Sequence, residues 1–226
     1  MRDSRRSLLR KTCATLGIGS LVGVSSKTAS ADHQYNDVPA AADYYNPIPS
    51  CNYTSEDRHT WDIDWVVLHL TNGTAGGTES WLNNCDANVS YHAMVSNYSG
   101  TSYDPGDVVQ FVGLSDRAWH ARCSNHNSIG LSIEWHPDYG GVSWSAYDAA
   151  AEYVDEMIRA LGIPDNVISN DSFDGQTPVC NYNGGIIGHR DAVDSSCDCW
   201  DTIPTRCPDP DGFSFSTFED HLARYR

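Results

Sequence analysis

Trp65-Val66-Val67-Leu68-His69-Leu70 is the stretch from which the fold can be read. Its first four residues are an unbroken apolar run. A strand with one wet face would alternate apolar and polar residues, so an unbroken run fits a strand covered on both faces, as in sheets flanked by helices. The run ends at His69, and Thr71-Asn72-Gly73-Thr74 follows as a loop. A lone histidine at the end of a buried strand is most simply a core residue satisfied by one hydrogen bond. Strand ends and the loops after them are also where scaffolds hold functional groups, so the reading turns on whether the arrangement recurs.

It recurs at Gly185-Ile186-Ile187-Gly188, a short apolar strand end that stops at His189. The segment from there to Gly212 has little helical or strand periodicity and carries Asp191, Asp194, Cys197, Asp198, Cys199, Asp201, Cys207 and Asp209. Imidazole and thiolate together suit Zn2+. A disulfide-rich loop with an incidental histidine is the competing reading of that segment alone. Two histidines at two strand ends favour a metal centre.

Between and around these anchors the chain alternates short strands with few helices. Ser90–Val95, Val108–Val112 and Asn127–Trp135 read as strands, and Thr78–Cys85 as a short helix. Asp116–Ala121 and Asp165–Tyr182 read as loops. Ala146–Leu161 is the clearest helix, with Tyr147, Ala150, Ala151, Val154, Met157, Ile158 and Leu161 on one stripe and Gly162 with Pro164 ending it. Its acidic residues are expected to form a solvated face. Phe215–Tyr225 reads as a closing helix. Strands interleaved in this way indicate a mixed α/β or α+β layer fold.

The first 31 residues read as an address rather than as fold. Ser4-Arg5-Arg6-Ser7-Leu8-Leu9-Arg10-Lys11 is a twin-arginine pattern, Ala14–Val24 is a weakly apolar run, and Ala29-Ser30-Ala31 is a small-residue cleavage site. The run is too short and too rich in Gly, Ser and Thr to span a bilayer. We therefore expect a secreted chain starting near Asp32, with an extended arm over 32–60 and one domain over 61–226. After Ala31 the chain has 8 Arg, no Lys, 23 Asp and 6 Glu, a formal charge of −21. That charge disfavours nucleic acid and anionic lipid. Its self-repulsion is screened by salt, and the complete loss of Lys points to a halophilic protein. Seven cysteines remain after Cys13 leaves with the signal. An exported chain can form disulfides; if one thiol binds metal, the other six could form three, in a connectivity the sequence does not give. Asn52, Asn72, Asn88, Asn97 and Asn170 stand in Asn-x-Ser/Thr sequons.

Taken in order, VVLH, SYHAMV, DRAWHA, NSIGLSIE, GHRD and TRCP resemble the zinc-dependent N-acetylmuramoyl-L-alanine amidases of the peptidoglycan recognition protein and phage-lysozyme type. The resemblance runs from about Trp65 to Phe218. It implies an α/β fold with a central mixed β-sheet flanked by helices, acting on peptidoglycan or a muropeptide; separately, the chain is expected to be a monomer. It places the metal ligands at His69, His189 and Cys207, with Asp209 of Asp209-Pro210 as the runner-up for the third. It places the catalytic tyrosine at Tyr91 and a second donor at Thr205, and gives Trp119 and His120 to the substrate groove. Arg190 and Asp191 are expected to brace the metal loop, and His92 to be structural. The chain departs from the pattern in two places. The gap from His189 to Cys207 is long and holds Cys197 and Cys199. Where one branch of the family has a glutamate after SIGI, this chain has Ser132; Glu134, two residues on, is the remaining candidate for that role.

Two imidazoles and a thiolate would leave one tetrahedral position open for water, as catalytic zinc requires. The rival readings are a non-catalytic muropeptide-binding module of the same fold, an amidase acting on another cell-surface polymer, a disulfide-stabilised structural protein, and a different zinc hydrolase. The absence of a His-Glu-x-x-His motif counts against a zinc peptidase.

Overall fold

The computed structural model describes residues 37–100, 102–169, 182–193 and 212–226. Their centre is a six-stranded mixed sheet. Its strands are β1 (Tyr44–Tyr45), β3 (Trp65–Leu70), β4 (Ala93–Val95), β5 (Val108–Gln110), β7 (Ser128–Ile133) and β8 (Gly185–Gly188), in the order β1-β5-β4-β7-β3-β8. Strand β3 runs parallel to both neighbours, pairing Leu68 with Leu131 of β7 and with Gly188 of β8. Strand β4 is parallel to β7 and antiparallel to β5, which makes the sheet mixed. All six residues of β3 are buried, as an unbroken apolar run between two parallel partners requires.

Strand β7 shows how the two faces differ. Ile129, Leu131 and Ile133 join Val66, Leu68 and Leu70 in the main core. Ser128, Gly130 and Ser132 project to the other face, in register with Trp65, Val67 and His69. The helix α2 (Trp144–Leu161) covers the apolar face with Ala150, Tyr153, Val154 and Met157. Ser143 caps its N-terminus by accepting from the Ala146 N–H, and Gly162 ends it at φ 72°. The helix α4 (Phe215–Leu222) packs on the same side, where Phe215, Phe218 and Leu222 enter the core.

The expected solvated face of α2 holds only in part: Asp148 and Glu152 are partly exposed, and the other two acidic residues are committed to contacts. Asp155 is buried and paired with Arg159, while Glu156 accepts the backbone N–H groups of Ala40 and Ala41 at 2.7 and 2.6 Å. Those bonds clamp the arm, which is extended but woven into the domain. It supplies β1, and it supplies β2 (Tyr53–Thr54), which pairs with β6 (Arg117–Ala118) within the segment expected to be a loop. The Cys51–Cys85 disulfide ties the arm to the end of α1 (Ala75–Leu82). Cys180, Cys197, Cys199 and Cys207 lie outside the described residues, as does the sequon at Asn170. Two of the other sequons are closed to modification in the folded chain. Asn52 is fully buried and donates to the carbonyls of Leu82 and Asn84, and Asn97 is buried with its side chain bonded to Gly141 and Ser143. Among the described residues no helix is long and apolar enough to cross a membrane.

Candidate metal centre and active site

The two histidines meet because their strands are neighbours in register. Leu68 pairs with Gly188, so His69 and His189 follow at the carboxyl ends of adjacent parallel strands, where open α/β sheets gather ligands. Their ring centroids lie 4.5 Å apart. His69 is the penultimate residue of β3 and is buried; His189 opens the short helix α3 (His189–Val193) and is half-exposed. Gly185, at φ 140°, starts β8 with Asn166 O so near that a Cβ would come within 2.7 Å of it. Only glycine fits there.

Tyr91 approaches the pair, its ring 5.0 Å from that of His69. The strand expected over Ser90–Val95 begins only at Ala93, so Tyr91 and His92 precede it and strand alternation does not decide where they point. His92 is fully buried. Its Nδ1 accepts the Gly130 N–H at 2.9 Å, so Nε2 carries the proton and points to the Asp116 carbonyl at 3.1 Å. Arg58 Nη2 stands 2.9 Å from that same Nε2 and donates to the carbonyls of Leu114 and Asp116. Burial, followed by the nearby guanidinium, holds the His92 pKa well below the usual histidine value.

His120 stands behind His69 rather than on a wall open to substrate, which corrects the expectation for it. It is buried, and its Nδ1 lies 3.0 Å from His69 Nε2. Its Nε2 lies 3.2 Å from Ser128 Oγ. The ring rests on Gly130, where a Cβ would come within 2.5 Å of its Cγ. Asn125 Oδ1 accepts the backbone N–H groups of His120 and Ala121. Burial, then the neighbouring imidazoles of His69, His92 and His189, push its pKa well below the ordinary value. Trp119 is half-buried and donates its indole N–H to Thr54 Oγ1 at 2.9 Å. It borders a hollow of about 340 Å³ with Arg117, Arg122, Asn125 and His126.

Glu134 is corrected as a catalytic candidate. It is fully buried, and its carboxylate accepts from Ala75 N, Ser96 Oγ, Asn97 N and Tyr98 N at 2.6–3.0 Å. It anchors the N-terminus of α1 and the turn after β4, leaving its charge committed to structure. Ser132, in register with His69, has a buried Oγ with no hydrogen-bond partner among the described residues. Asp191 braces β8 through Ser169, whose hydroxyl also accepts the Gly188 N–H at 2.7 Å. Arg190 lies over Phe215, with its Nε 3.8 Å from the Asp191 carboxylate.

Arg58, Ser128 and Ser124, whose carbonyl accepts the Ser128 hydroxyl proton, also belong to this region, and none was among the residues expected from the sequence. The signal for Ser128 was present: Ser128, Gly130 and Ser132 alternate with three aliphatic residues, marking one polar face on a buried strand.

The donor set fits a zinc ion in part. Two imidazoles with centroids 4.5 Å apart can reach one ion. Among the described residues no group of three His, Cys, Asp or Glu side chains could hold a metal. Cys207, its runner-up Asp209, and Thr205 lie outside the described residues.

The N-acetylmuramoyl-L-alanine amidase family model matches residues 59–210, about two thirds of the chain and all of the sheet from β3 to β8. The chain belongs to the N-acetylmuramoyl-L-alanine amidase family. The chain is 30% identical over 120 residues to N-acetylmuramoyl-L-alanine amidase A of Achromobacter lyticus, a match covering 53% of this chain and 63% of that protein, less than two thirds of its length. Solved amidase-fold neighbours carry the same architecture at low identity. The Staphylococcus aureus hydrolase AmiA in complex with its ligand superposes with a TM-score of 0.54 at 19% identity, covering 81% of each chain. A mutant of PlyL superposes with a TM-score of 0.53 at 14% identity, covering 80% of this chain and 97% of that one. At these identities the structural likeness shows the fold alone.

Proposed function

We propose that this chain is a secreted, zinc-dependent hydrolase that cleaves the amide between N-acetylmuramic acid and L-alanine in peptidoglycan. The observation that carries the reading is the meeting of His69 and His189 at adjoining strand ends with Tyr91 beside them, inside a chain of the amidase family. His69, His189 and Cys207 would hold the ion. When bound, zinc lowers the pKa of its water to about 7 and polarises a carbonyl brought against it. Tyr91 would hold the attacking water or donate its phenol proton to the oxygen on which negative charge develops. Thr205 would add a second donor. Removing one such donor typically costs ~2.7–4 kcal/mol of transition-state stabilisation. Trp119 would bound the groove. The twin-arginine pattern supports export, and the charge of −21 with no Lys after Ala31 supports work in strong brine as a monomer.

The test is zinc content measured together with release of L-alanine amino termini from purified murein in high salt, for the mature chain and Cys207→Ser. Stoichiometric zinc and amine release, both lost in Cys207→Ser, are expected. Zinc uptake without release would replace hydrolysis by a muropeptide-binding role or a different amide substrate. No zinc in either protein would overturn the metal centre.

A further inference from the structure

We propose that Ser128 and His120 form a positioning pair that locks His69 in one tautomer, with its proton on Nε2 and its lone pair on Nδ1. The pair's role rests on the reading of His69 as a metal ligand, and the chain of bonds begins at a hydroxyl. Ser128 Oγ lies 2.6 Å from the carbonyl oxygen of Ser124. A carbonyl only accepts, and a serine hydroxyl has one proton, so that proton points to Ser124. Toward its other neighbour Ser128 Oγ can only accept. That neighbour is His120 Nε2 at 3.2 Å, which therefore carries a proton.

A neutral imidazole has one N–H, so His120 Nδ1 has the lone pair. Neutrality follows from the surroundings. The ring is buried against Gly130 with the imidazoles of His69 and His92 near it, and among the described residues no carboxylate is bonded to it. His120 Nδ1 faces His69 Nε2 at 3.0 Å. A lone pair on one side requires a proton on the other, so His69 donates through Nε2 and keeps its lone pair on Nδ1.

This is the state a metal needs: a neutral ring, with one nitrogen anchored as donor and the other presenting electrons. Ligating histidines usually obtain it by donating to a carboxylate or a backbone carbonyl. Here a second histidine takes that part, and a serine fixes the second histidine. The geometry also explains Gly130: a side chain there would push His120 off His69. Asn125, holding the His120 and Ala121 amides, fixes the backbone from which the ring hangs.

The direct test is the tautomer itself, read in metal-free full-length protein with 15N-labelled histidine by long-range proton–nitrogen correlation. Expected are a pyridine-type Nδ1 and a pyrrole-type Nε2 on His69, and the same pattern on His120. A proton on His69 Nδ1 would overturn the proposal. The second readout is zinc affinity by competition with a chelator. Ser128→Ala and His120→Leu are each expected to weaken zinc by roughly 10–100-fold. His120→Asn, which keeps an acceptor at the Nδ1 position, is expected to recover most of that loss while His120→Leu does not. Unchanged affinity in a folded His120→Leu would overturn the positioning role. If the wild type took up no zinc but showed the expected His69 tautomer, the zinc reading would fall and the lock itself would stand.

Discussion

The two faces of the central sheet are made from the same strands and do opposite work. On one, Val66, Leu68 and Leu70 of β3 and Ile129, Leu131 and Ile133 of β7 lie under α2 and α4 in a continuous apolar core. On the other, Trp65, Val67 and His69 stand in register with Ser128, Gly130 and Ser132, and the segment that ends in the 3-10 helix Arg122–Asn127 brings His120 down on them. The first face is held by area removed from water, which is not directional. The second has a smaller apolar cluster of its own, Trp65 and Val67 with Ala121, Ile168, Ile187 and Ala192, and adds to it hydrogen bonds whose donors and acceptors must each be matched, because an unmatched buried group costs about 1–3 kcal/mol. Apolar packing and polar contacts thus divide between the odd and even positions of β7.

Acid should test that division most strongly, since two buried imidazoles, His92 and His120, stand on the polar face. His92 and His120 are held neutral in the fold by burial and by nearby positive or imidazole groups. Their folded-state pKa values lie below the unfolded value of about 6.5, so the unfolded chain binds more protons on acidification. Their contribution is present in full above about pH 6.5 and is lost as pH falls from there toward the folded-state values. Each unit of difference is worth about 1.4 kcal/mol, and the two groups act together. The urea midpoint of metal-free protein, in high salt to screen the surface charge, should drop from pH 8 to pH 5. A flat or rising midpoint would mean that these histidines are not held neutral. On the apolar face, Leu131→Ala should lower stability by about 2–5 kcal/mol at any pH in that range, because Leu131 is fully buried.

Glu134→Ala tests where the two faces meet. The carboxylate ends β7 by accepting from four donors on two other segments. Losing it should cost about 3 kcal/mol, mostly from donors left unmatched, as a shift in urea midpoint. A catalytic glutamate would give the reverse signature, with stability kept and activity lost.

The difference between the faces also explains what was legible in the sequence. The apolar runs at Trp65–Leu68 and Ile186–Ile187 and the stripe on α2 gave the buried strands, the long helix and the α/β class, because burial writes itself as hydrophobic pattern. The strand ends then placed His69 and His189. What pattern could not give was partnership. Glu156 and Asp155 look like surface charge until the arm and Arg159 are seen to occupy them. Glu134 looks catalytic from its position after SIGLSI until its four donors are counted. His120 looked like a groove residue because its sequence neighbour is Trp119, yet the ring turns inward onto Gly130. Such roles depend on contacts between residues distant in the chain.

Gly130→Ala should act mainly on the polar face. The added Cβ would sit within 2.5–2.7 Å of three His120 ring atoms, so the ring must move off His69. Overpacking of this kind costs about 1–3 kcal/mol, and zinc affinity should fall with it. A measured zinc affinity equal to wild type would show that His120 is not needed where it stands.

The smallest effect is the sharpest test of the comparison. Ser132 and Leu131 are adjacent and both fully buried, but Ser132 Oγ has no hydrogen-bond partner among the described residues. Burying a hydroxyl without a partner is unfavourable, so Ser132→Ala removes a desolvated polar atom and only a small volume. The change should leave stability unaltered or raise it by up to about 1 kcal/mol, against the several lost one residue earlier. It should also leave the His69 tautomer as it is, since the lock runs through Ser128 and His120. If Ser132→Ala instead cost as much as Leu131→Ala, the hydroxyl would have to be satisfied by water or, in zinc-loaded protein, by the surroundings of an ion. Repeating the measurement with and without zinc would separate these: a cost confined to the loaded protein assigns the hydroxyl to the metal site, and a cost in both assigns it to the fold.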